Sequence, residues 1–229
     1  MSCLVVIPAA GSGVRFGGEL PKQFQPLLGR PVIEHTIERF CGIGEVDRIV
    51  VAVSAPFEAV IGGIIRANQW NRVEVVPGGE TRQDSVLSAM TASVRPKDRF
   101  VAIHDSVRPV FRTETFLAVL DAAKECGAAL PVLRPRDTIH RVARGYVLET
   151  LNRSELAAAQ TPQCFAIDVL MPLLERASRE GLVFTDEAGL VARFGHRVRV
   201  IEGDETNLKI TTRDDLARVE AILTAGGDI

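Results

Sequence analysis

Leu4-Val5-Val6-Ile7-Pro8-Ala9-Ala10-Gly11-Ser12-Gly13-Val14-Arg15 joins a short apolar run to a glycine-rich segment. The apolar, β-branched run predicts a buried strand, and the small residues after it predict a turn in which backbone can approach a ligand closely. Similar runs follow at 48–53, 73–76 and 100–103, with helical apolar spacing at 36–40, 59–65, 85–94 and 115–126. This order predicts an α/β fold, in which a mostly parallel sheet is flanked by helices and binds ligands at the carboxyl ends of its strands.

One segment interrupts the alternation of strands and helices. Residues 138–151 (TIHRVARGYVLETL) are rich in β-branched side chains and have Arg144-Gly145 at their centre, as a β-hairpin would. We therefore expect a single domain over residues 1–229 with a projecting β-hairpin arm at about 136–155. Because an isolated two-stranded hairpin is marginally stable in water, the arm predicts a homodimer in which it leans on a second subunit.

Composition excludes several classes of function. A formal net charge of -2 provides no basic field for nucleic acid, so the expected ligands are small anions. The 4 cysteines form no C-x-x-C pair and have no histidine at zinc-ligand spacing, which argues against a zinc site and a disulfide framework. The apolar run after Met1 is too short for a signal peptide or a membrane span. We expect a cytoplasmic protein that binds neither membrane nor nucleic acid.

The glycine-rich segment does not match two familiar phosphate-binding motifs. Gly11-Ser12-Gly13 lacks the third glycine of the dinucleotide fingerprint, and Glu19 stands where a P-loop requires lysine. A tight strand-to-helix turn would have a similar sequence. Arg15 and Lys22 favour an anion site, because two cations beside an amide-rich loop can neutralise a triphosphate and stabilise charge that develops during phosphoryl-type transfer. Two solvated surface charges are the alternative.

Two later segments could complete such a site. Gly78-Gly79 through Ser85 joins a strand to a helix and could contact the base and ribose of a nucleotide. An ordinary turn and N-cap, with Arg82 and Asp84 solvated, would have the same sequence. Asp105 follows the strand at 100–103, where a carboxylate can hold Mg²⁺ beside phosphates. An aspartate that caps a turn is the structural alternative there.

Six segments taken together resemble one family of enzymes. They are Pro8 through Arg15, Pro21-Lys22-Gln23, Gly78 through Val86, His104 through Pro109, Gln160-Thr161-Pro162-Gln163 and Asn207-Leu208-Lys209-Ile210-Thr211. In this order and spacing they are similar to the 2-C-methyl-D-erythritol 4-phosphate cytidylyltransferases. The resemblance runs nearly the length of the chain and implies a Rossmann-like nucleotidyltransferase fold.

The resemblance also implies a reaction and a set of roles. The acceptor phosphate would attack the α-phosphorus of CTP with the help of Mg²⁺ or another divalent cation, and no covalent enzyme intermediate is expected. The implied catalytic residues are Arg15, Lys22, Arg153 and Lys209. The implied CTP contacts are Pro8, Ala9, Ala10, Gly11, Ser12, Gly13, Lys22, Gly79, Glu80, Arg82, Ser85, Asp105 and Ser106. The implied acceptor contacts are Asp105, Arg108, Thr161, Thr185 and Lys209, with Thr138 and Arg153 reaching across a dimer, and Asp105 would lie near the metal.

Two alternatives stay open at this point. Glu80 and Ser106-Val107 depart from the commonest family pattern, and the His-Asp-Ser-Val-Arg-Pro form is similar to D-ribitol-5-phosphate cytidylyltransferases. Pro8-Ala9-Ala10 and Asn152-Arg153-Ser154 are closer to the methylerythritol branch. A catalytically idle nucleotide-binding protein would keep the loop and the fold, but it would not need Arg15, Lys22 and Asp105 together.

Overall fold

A computed structural model describes residues 3–11 and 20–226. The strands of these residues, numbered in chain order, are β1 (Cys3–Pro8), β2 (Pro26–Leu27), β3 (Arg30–Pro31), β4 (Val46–Val53), β5 (Val73–Pro77), β6 (Phe100–Ile103), β7 (Ala128–Leu133), β8 (His140–Ala143), β9 (Tyr146–Thr150), β10 (Ala158–Ala159), β11 (Gln163–Ala166) and β12 (Arg199–Glu202). The α-helices are α1 (Val32–Cys41), α2 (Ala55–Ala67), α3 (Arg82–Ser93), α4 (Thr113–Cys126), α5 (Ile167–Glu180), α6 (Glu187–Arg193) and α7 (Arg213–Thr224). Short 3₁₀ turns occupy Lys22–Phe24 and Arg153–Glu155.

The central sheet has 8 strands in the order β10-β7-β11-β6-β1-β4-β5, with β12 paired to β7. Strand β1 lies parallel to both β4 and β6. Strand β5 pairs in parallel with β4, and β12 pairs in parallel with β7. Strand β11 is antiparallel to β6 and to β7, so β7 runs in the same direction as β6. The predicted mostly parallel sheet is confirmed. The antiparallel β11 brings its first residue, Gln163, to the edge where β6 ends at Ile103.

Helices cover both faces of this sheet because β1 is apolar on both of its sides. Val5 and Ile7 pack with α1 and α4 on one face, and Leu4 and Val6 pack with α3 and α5 on the other. A strand buried on both faces is apolar at every position instead of alternating, which is why the first apolar run of the chain predicts it. All four of these side chains are at most 2% exposed.

The arm forms as predicted. Strands β8 and β9 pair with each other as a separate two-stranded sheet. Arg144 and Gly145 have φ values of 50° and 83°, the two consecutive positive values that a tight hairpin turn requires. Val142, Tyr146 and Leu148 are exposed on the arm. The homodimer and the single domain over residues 1–229 stay predictions.

The last helix begins at a capping box. Thr212 Oγ1 accepts a hydrogen bond from Asp215 N at 3.2 Å, and Asp215 Oδ2 accepts one from Thr212 N at 2.9 Å. This pairing satisfies backbone donors that the first turn leaves without partners, as the sequence spacing predicts. None of the helices in the described ranges is long and apolar enough to cross a lipid bilayer.

Candidate active site

A cleft opens at the carboxyl edge of β1, β5 and β6, where the predicted ligand site belongs. We name it the first cavity. It is lined by Pro8, Ala9, Ala10, Gly11, Lys22, Gln23, Glu80, Thr81, Arg82, Ser85, Asp105, Ser106, Val107 and Lys209. Ten of the predicted CTP contacts are in this set. Gly79 is not in this set but donates to Ser85, which is, and the predicted residues Ser12, Gly13 and Arg15 fall outside the described residues.

Gln23 gives the start of the glycine-rich segment its shape. It is 3% exposed, and its Nε2 donates to the carbonyl oxygens of Ala9 at 2.7 Å and Gly11 at 2.9 Å. The same 3₁₀ turn carries Lys22, so the anchoring amide and the predicted catalytic cation are neighbours in the chain. Gln23 belongs to the Pro21-Lys22-Gln23 segment of the family resemblance, but its contacts with the Ala9 and Gly11 carbonyl oxygens were not predicted from the sequence.

Glycine is required at position 78 because the second loop packs against the first. A Cβ atom on Gly78 would lie 2.4 Å from Ala10 Cβ, which is far inside van der Waals contact. The next amide, Gly79 N, donates to Ser85 Oγ at 3.1 Å. Ser85 therefore holds the loop and also faces the cavity.

The N-cap interpretation of this loop is correct for Asp84 and wrong for Arg82. Thr81 caps α3 and pairs with the half-buried Asp84 in a capping box. Arg82, in contrast, is only 27% exposed and pairs with two carboxylates: its Nε donates to Asp105 Oδ1 at 3.0 Å, and its Nη1 donates to the carboxylate of Glu187.

Asp105 lies among three cations. Its Oδ1 accepts from Arg82, while its Oδ2 is 2.7 Å from Lys209 Nζ and 3.6 Å from Arg108 Nε. Burial by itself would raise the pKa of Asp105, but the charges of Arg82, Lys209 and Arg108 outweigh burial and hold that pKa well below its usual range. The carboxylate is therefore ionised across the physiological range.

Two buried side chains fix the backbone that carries Asp105. Thr161 Oγ1 accepts from Asp105 N at 3.1 Å and lies 3.1 Å from His104 Nδ1. His104 Nε2 lies 3.0 Å from the Arg108 carbonyl oxygen, and burial lowers the pKa of His104 to about 3. A neutral imidazole that donates from Nε2 accepts at Nδ1, so the Thr161 hydroxyl donates to it.

A second cavity adjoins the first. It is lined by Arg82, Asp105, Arg108, Ala159, Gln160, Thr161, Gln163, Thr185, Asp186 and Lys209. Five of the predicted acceptor contacts belong to this set, and Arg82, Asp105 and Lys209 line both cavities. The three shared side chains therefore form the boundary between them.

Thr138 and Arg153 are not brought to either cavity within one chain. Arg153 lies in the 3₁₀ turn at the base of the arm and donates a hydrogen bond to the Arg136 carbonyl oxygen. Their predicted contribution from a second subunit stays a prediction. Arg108 does line the second cavity, and its Nη1 also donates to Asn207 O at 2.7 Å, close to Lys209 in the chain.

Sequence reasoning missed Glu187. It is 2% exposed, and both of its oxygens accept from Arg82 Nη1, at 2.7 and 2.8 Å. Burial raises the pKa of Glu187, and the charge of Arg82 offsets part of that rise. The residue follows the predicted contact Thr185 by two positions, but no spacing in the sequence links it to Arg82.

Comparison with known proteins agrees with this geometry. Residues 3–225 match a family model described as "IspD: 2-C-methyl-D-erythritol 4-phosphate cytidylyltransferase". A protein of that name from Symbiobacterium thermophilum is 41% identical over 222 residues, covering 96% of this chain and 92% of its own length. One from Bacillus licheniformis is 38% identical over 226 residues, covering 98% and 97%.

Solved structures agree as well. The 4-diphosphocytidyl-2C-methyl-D-erythritol synthase of Anaerococcus prevotii has a TM-score of 0.86 at 28% identity, covering 97% of this chain and 96% of its own. The 2-C-methyl-D-erythritol 4-phosphate cytidylyltransferase of Thermus thermophilus has a TM-score of 0.80 at 32% identity, covering 98% and 100%. With the two-cavity site and a family match over nearly all of its length, this chain belongs to the 2-C-methyl-D-erythritol 4-phosphate cytidylyltransferase family.

Proposed function

We propose that this chain transfers a cytidylyl group from CTP to 2-C-methyl-D-erythritol 4-phosphate, giving 4-diphosphocytidyl-2-C-methyl-D-erythritol and pyrophosphate. Family membership gives the reaction, which is a step of isoprenoid precursor synthesis. One structural observation supports it most directly: two cavities meet at Asp105, Arg82 and Lys209. A transfer between two phosphorylated substrates requires two adjoining anion sites.

In this proposal the first cavity holds CTP and the second holds the acceptor phosphate. An acceptor phosphate oxygen forms a bond to the α-phosphorus, the bond from that phosphorus to the bridging oxygen breaks, and pyrophosphate leaves. No side chain needs to form a covalent bond, so the protein positions the two substrates and stabilises charge. Lys22 borders the first cavity and Lys209 borders both.

The charge balance at the boundary suits anionic ligands. Arg82, Arg108 and Lys209 carry three positive charges against two negative charges on Asp105 and Glu187. The carboxylates keep the cations oriented, and the remaining positive charge is available to phosphates. Lys22 lines the first cavity, where the family resemblance implies a catalytic role, and Lys22→Ala should lower turnover more than it weakens CTP binding. Unchanged turnover would refute that role.

The donor chemistry at the boundary fits Mg²⁺ through one protein ligand. Asp105 is the carboxylate that lines both cavities, and Mg²⁺ prefers one or two carboxylates together with phosphate oxygens and water. Within the described residues there is no cluster of three or more acidic, histidine or cysteine side chains that could hold a metal alone. The ion, when bound, would neutralise charge on the nucleotide phosphates. A carboxylate has about four acceptor sites, so Asp105 would hold the ion while Oδ2 also contacts Lys209 Nζ.

We further propose a cytoplasmic homodimer joined through the arm. Four free cysteines support a reducing compartment, and the exposed apolar side chains of the arm support a partner surface.

A mixture of the Lys22→Ala and Arg153→Ala proteins tests both the dimer and whether Arg153 acts in its own subunit or in its partner. If Arg153 acts across the dimer, a mixed dimer contains one intact site, and its activity exceeds that of either variant alone. Arg153 acting within its own chain would give no recovery.

The identity of the acceptor is tested by pyrophosphate release from CTP with purified protein and Mg²⁺. Release with 2-C-methyl-D-erythritol 4-phosphate and not with D-ribitol 5-phosphate is the expected result. Release with D-ribitol 5-phosphate instead would reassign the acceptor. Release with neither acceptor would favour a nucleotide-binding protein without turnover.

A further inference from the structure

We propose that Glu187 is a positioning residue for cytidylyl transfer: it anchors Arg82 so that Asp105 keeps one oxygen for Lys209. The inference rests on the proposed function. Its basis is the chain of contacts Glu187–Arg82–Asp105–Lys209, whose consecutive distances are 2.7, 3.0 and 2.7 Å. Glu187 lines neither cavity, and its side-chain partner Arg82, which lines both, connects it to the substrates.

Glu187 is itself held firmly. It is the first residue of α6, and the N-cap Asp186 before it accepts from Gly189 N at 2.9 Å. Gln163, at the start of β11, donates to Asp186 Oδ2 at 2.8 Å and accepts from Ala188 N at 3.1 Å. The backbone on both sides of Glu187 is therefore tied to the central sheet, and the carboxylate is a fixed anchor.

The anchor matters because several cations compete for Asp105. An arginine next to a carboxylate tends to donate from two nitrogens to both oxygens. Here Nη1 of Arg82 is held by Glu187, so only Nε reaches Asp105, and it takes only Oδ1. Asp105 Oδ2 stays available to Lys209 Nζ.

Loss of the Glu187 charge would remove this constraint. Arg82 could then turn toward both oxygens of Asp105 and displace Lys209, whose side chain is 38% exposed and therefore free to move into solvent. Lys209 borders both cavities and is expected to meet the acceptor phosphate. The structure thus links a buried glutamate outside the cleft to the orientation of a lysine inside it.

The test compares Glu187→Gln, which keeps the shape and removes the charge, with the wild type. We expect kcat to fall about 10- to 100-fold, because small misplacements of reacting groups cause rate losses of this size. The Kd of CTP should change much less. Glu187→Asp keeps the charge on a shorter side chain and should recover part of the loss. Glu180→Gln, in the exposed pair that Arg176 Nε and Glu180 Oε1 make at 2.7 Å, is the matched control and should leave kcat unchanged.

A double-mutant cycle separates positioning from general stabilisation. If Glu187 acts through Arg82, then Glu187→Gln should cause no further loss of kcat in an Arg82→Gln background. Equal losses in both backgrounds, or wild-type kcat in Glu187→Gln, would overturn the proposal. If Glu187→Gln does not fold, the same cycle is run with Glu187→Ala, which also removes the charge, and is judged by the same two outcomes. Absence of turnover in the wild type would instead overturn the proposed function.

Discussion

Replacing Gly78 by alanine should disable the site by steric contact alone. The added Cβ would lie 2.4 Å from Ala10 Cβ, 3.2 Å from Ser85 Oγ and 3.4 Å from the carbonyl carbon of Ala52. Carbon atoms approach comfortably to about 3.5 Å, so Ala10 and Gly78 must separate by about 1 Å. Gly78 cannot retreat easily, because its amide donates to Val53 O at 2.8 Å at the end of β4.

The movement therefore falls on the glycine-rich segment that lines the first cavity. A misplacement of about 1 Å in a catalytic site can lower activity about 100-fold, which corresponds to about 2.7 kcal/mol of transition-state stabilisation. The assay is kcat/KM for CTP from pyrophosphate release, with CTP binding by calorimetry and a thermal melt for each protein. We expect both kcat/KM and CTP affinity to fall, with an overpacking cost of about 1–3 kcal/mol in the free energy of unfolding.

Gly63→Ala is the matched control. Gly63 lies inside α2, and a Cβ there would meet nothing within 4 Å. The same chemical change should leave activity intact and stabilise the helix by about 0.5–1 kcal/mol. Wild-type kcat/KM in Gly78→Ala would refute the argument, because it would mean that the two loops can separate without disturbing the site.

Three further predictions concern stability. Thr212→Ala removes the N-cap of α7 and should lower the free energy of unfolding by about 1 kcal/mol in a urea titration; no change would mean that the cap contributes nothing. Burial would raise the pKa of Asp215, but hydrogen bonds from Thr211 and Thr212 outweigh it and lower that pKa from 3.8 to about 2. Because the pKa of Asp215 is lower in the folded state, its ionised carboxylate stabilises the fold above pH 3.8, and this stabilisation is lost as the pH falls through about 2. The difference in the free energy of unfolding between wild type and Asp215→Asn should therefore shrink over that window. A constant difference would contradict this prediction. Phe116→Ala should lower the free energy of unfolding by about 3–5 kcal/mol, because the ring is fully buried and meets Phe40 edge-on at 5.6 Å; a loss below about 1 kcal/mol would mean that the core collapses into the space.

The sequence predicts those parts of the fold that depend on local pattern. The β-branched runs, the helical spacing, the Arg144-Gly145 turn and the Thr212 capping box each reflect the conformational preference of a few neighbouring residues, and all are confirmed. The antiparallel direction of β11 was not predicted, because a short apolar strand such as QCFA has no feature that distinguishes the two directions.

The site divides in the same way. The end of a parallel strand predicts Asp105 at this edge of the sheet, and the family resemblance adds Arg82 and Lys209; all three line the first cavity. Their mutual contacts could not be predicted, because Arg82 and Glu187 are separated by 105 positions in the chain and Gln23 reaches Ala9 across 14. Such pairs depend on how helices and loops pack over the sheet, which no local spacing specifies.

The direction of β11 also bears on how this architecture can be modified. Because β7 ends and β11 begins at the same edge of the sheet, the intervening chain leaves and returns there without crossing the sheet. Residues 134–157, including the whole arm, can therefore change in length or sequence while the strand order is retained. This connection is a natural place to graft a different arm, which would test the arm's proposed roles in acceptor binding and subunit assembly while the first cavity is left as it is.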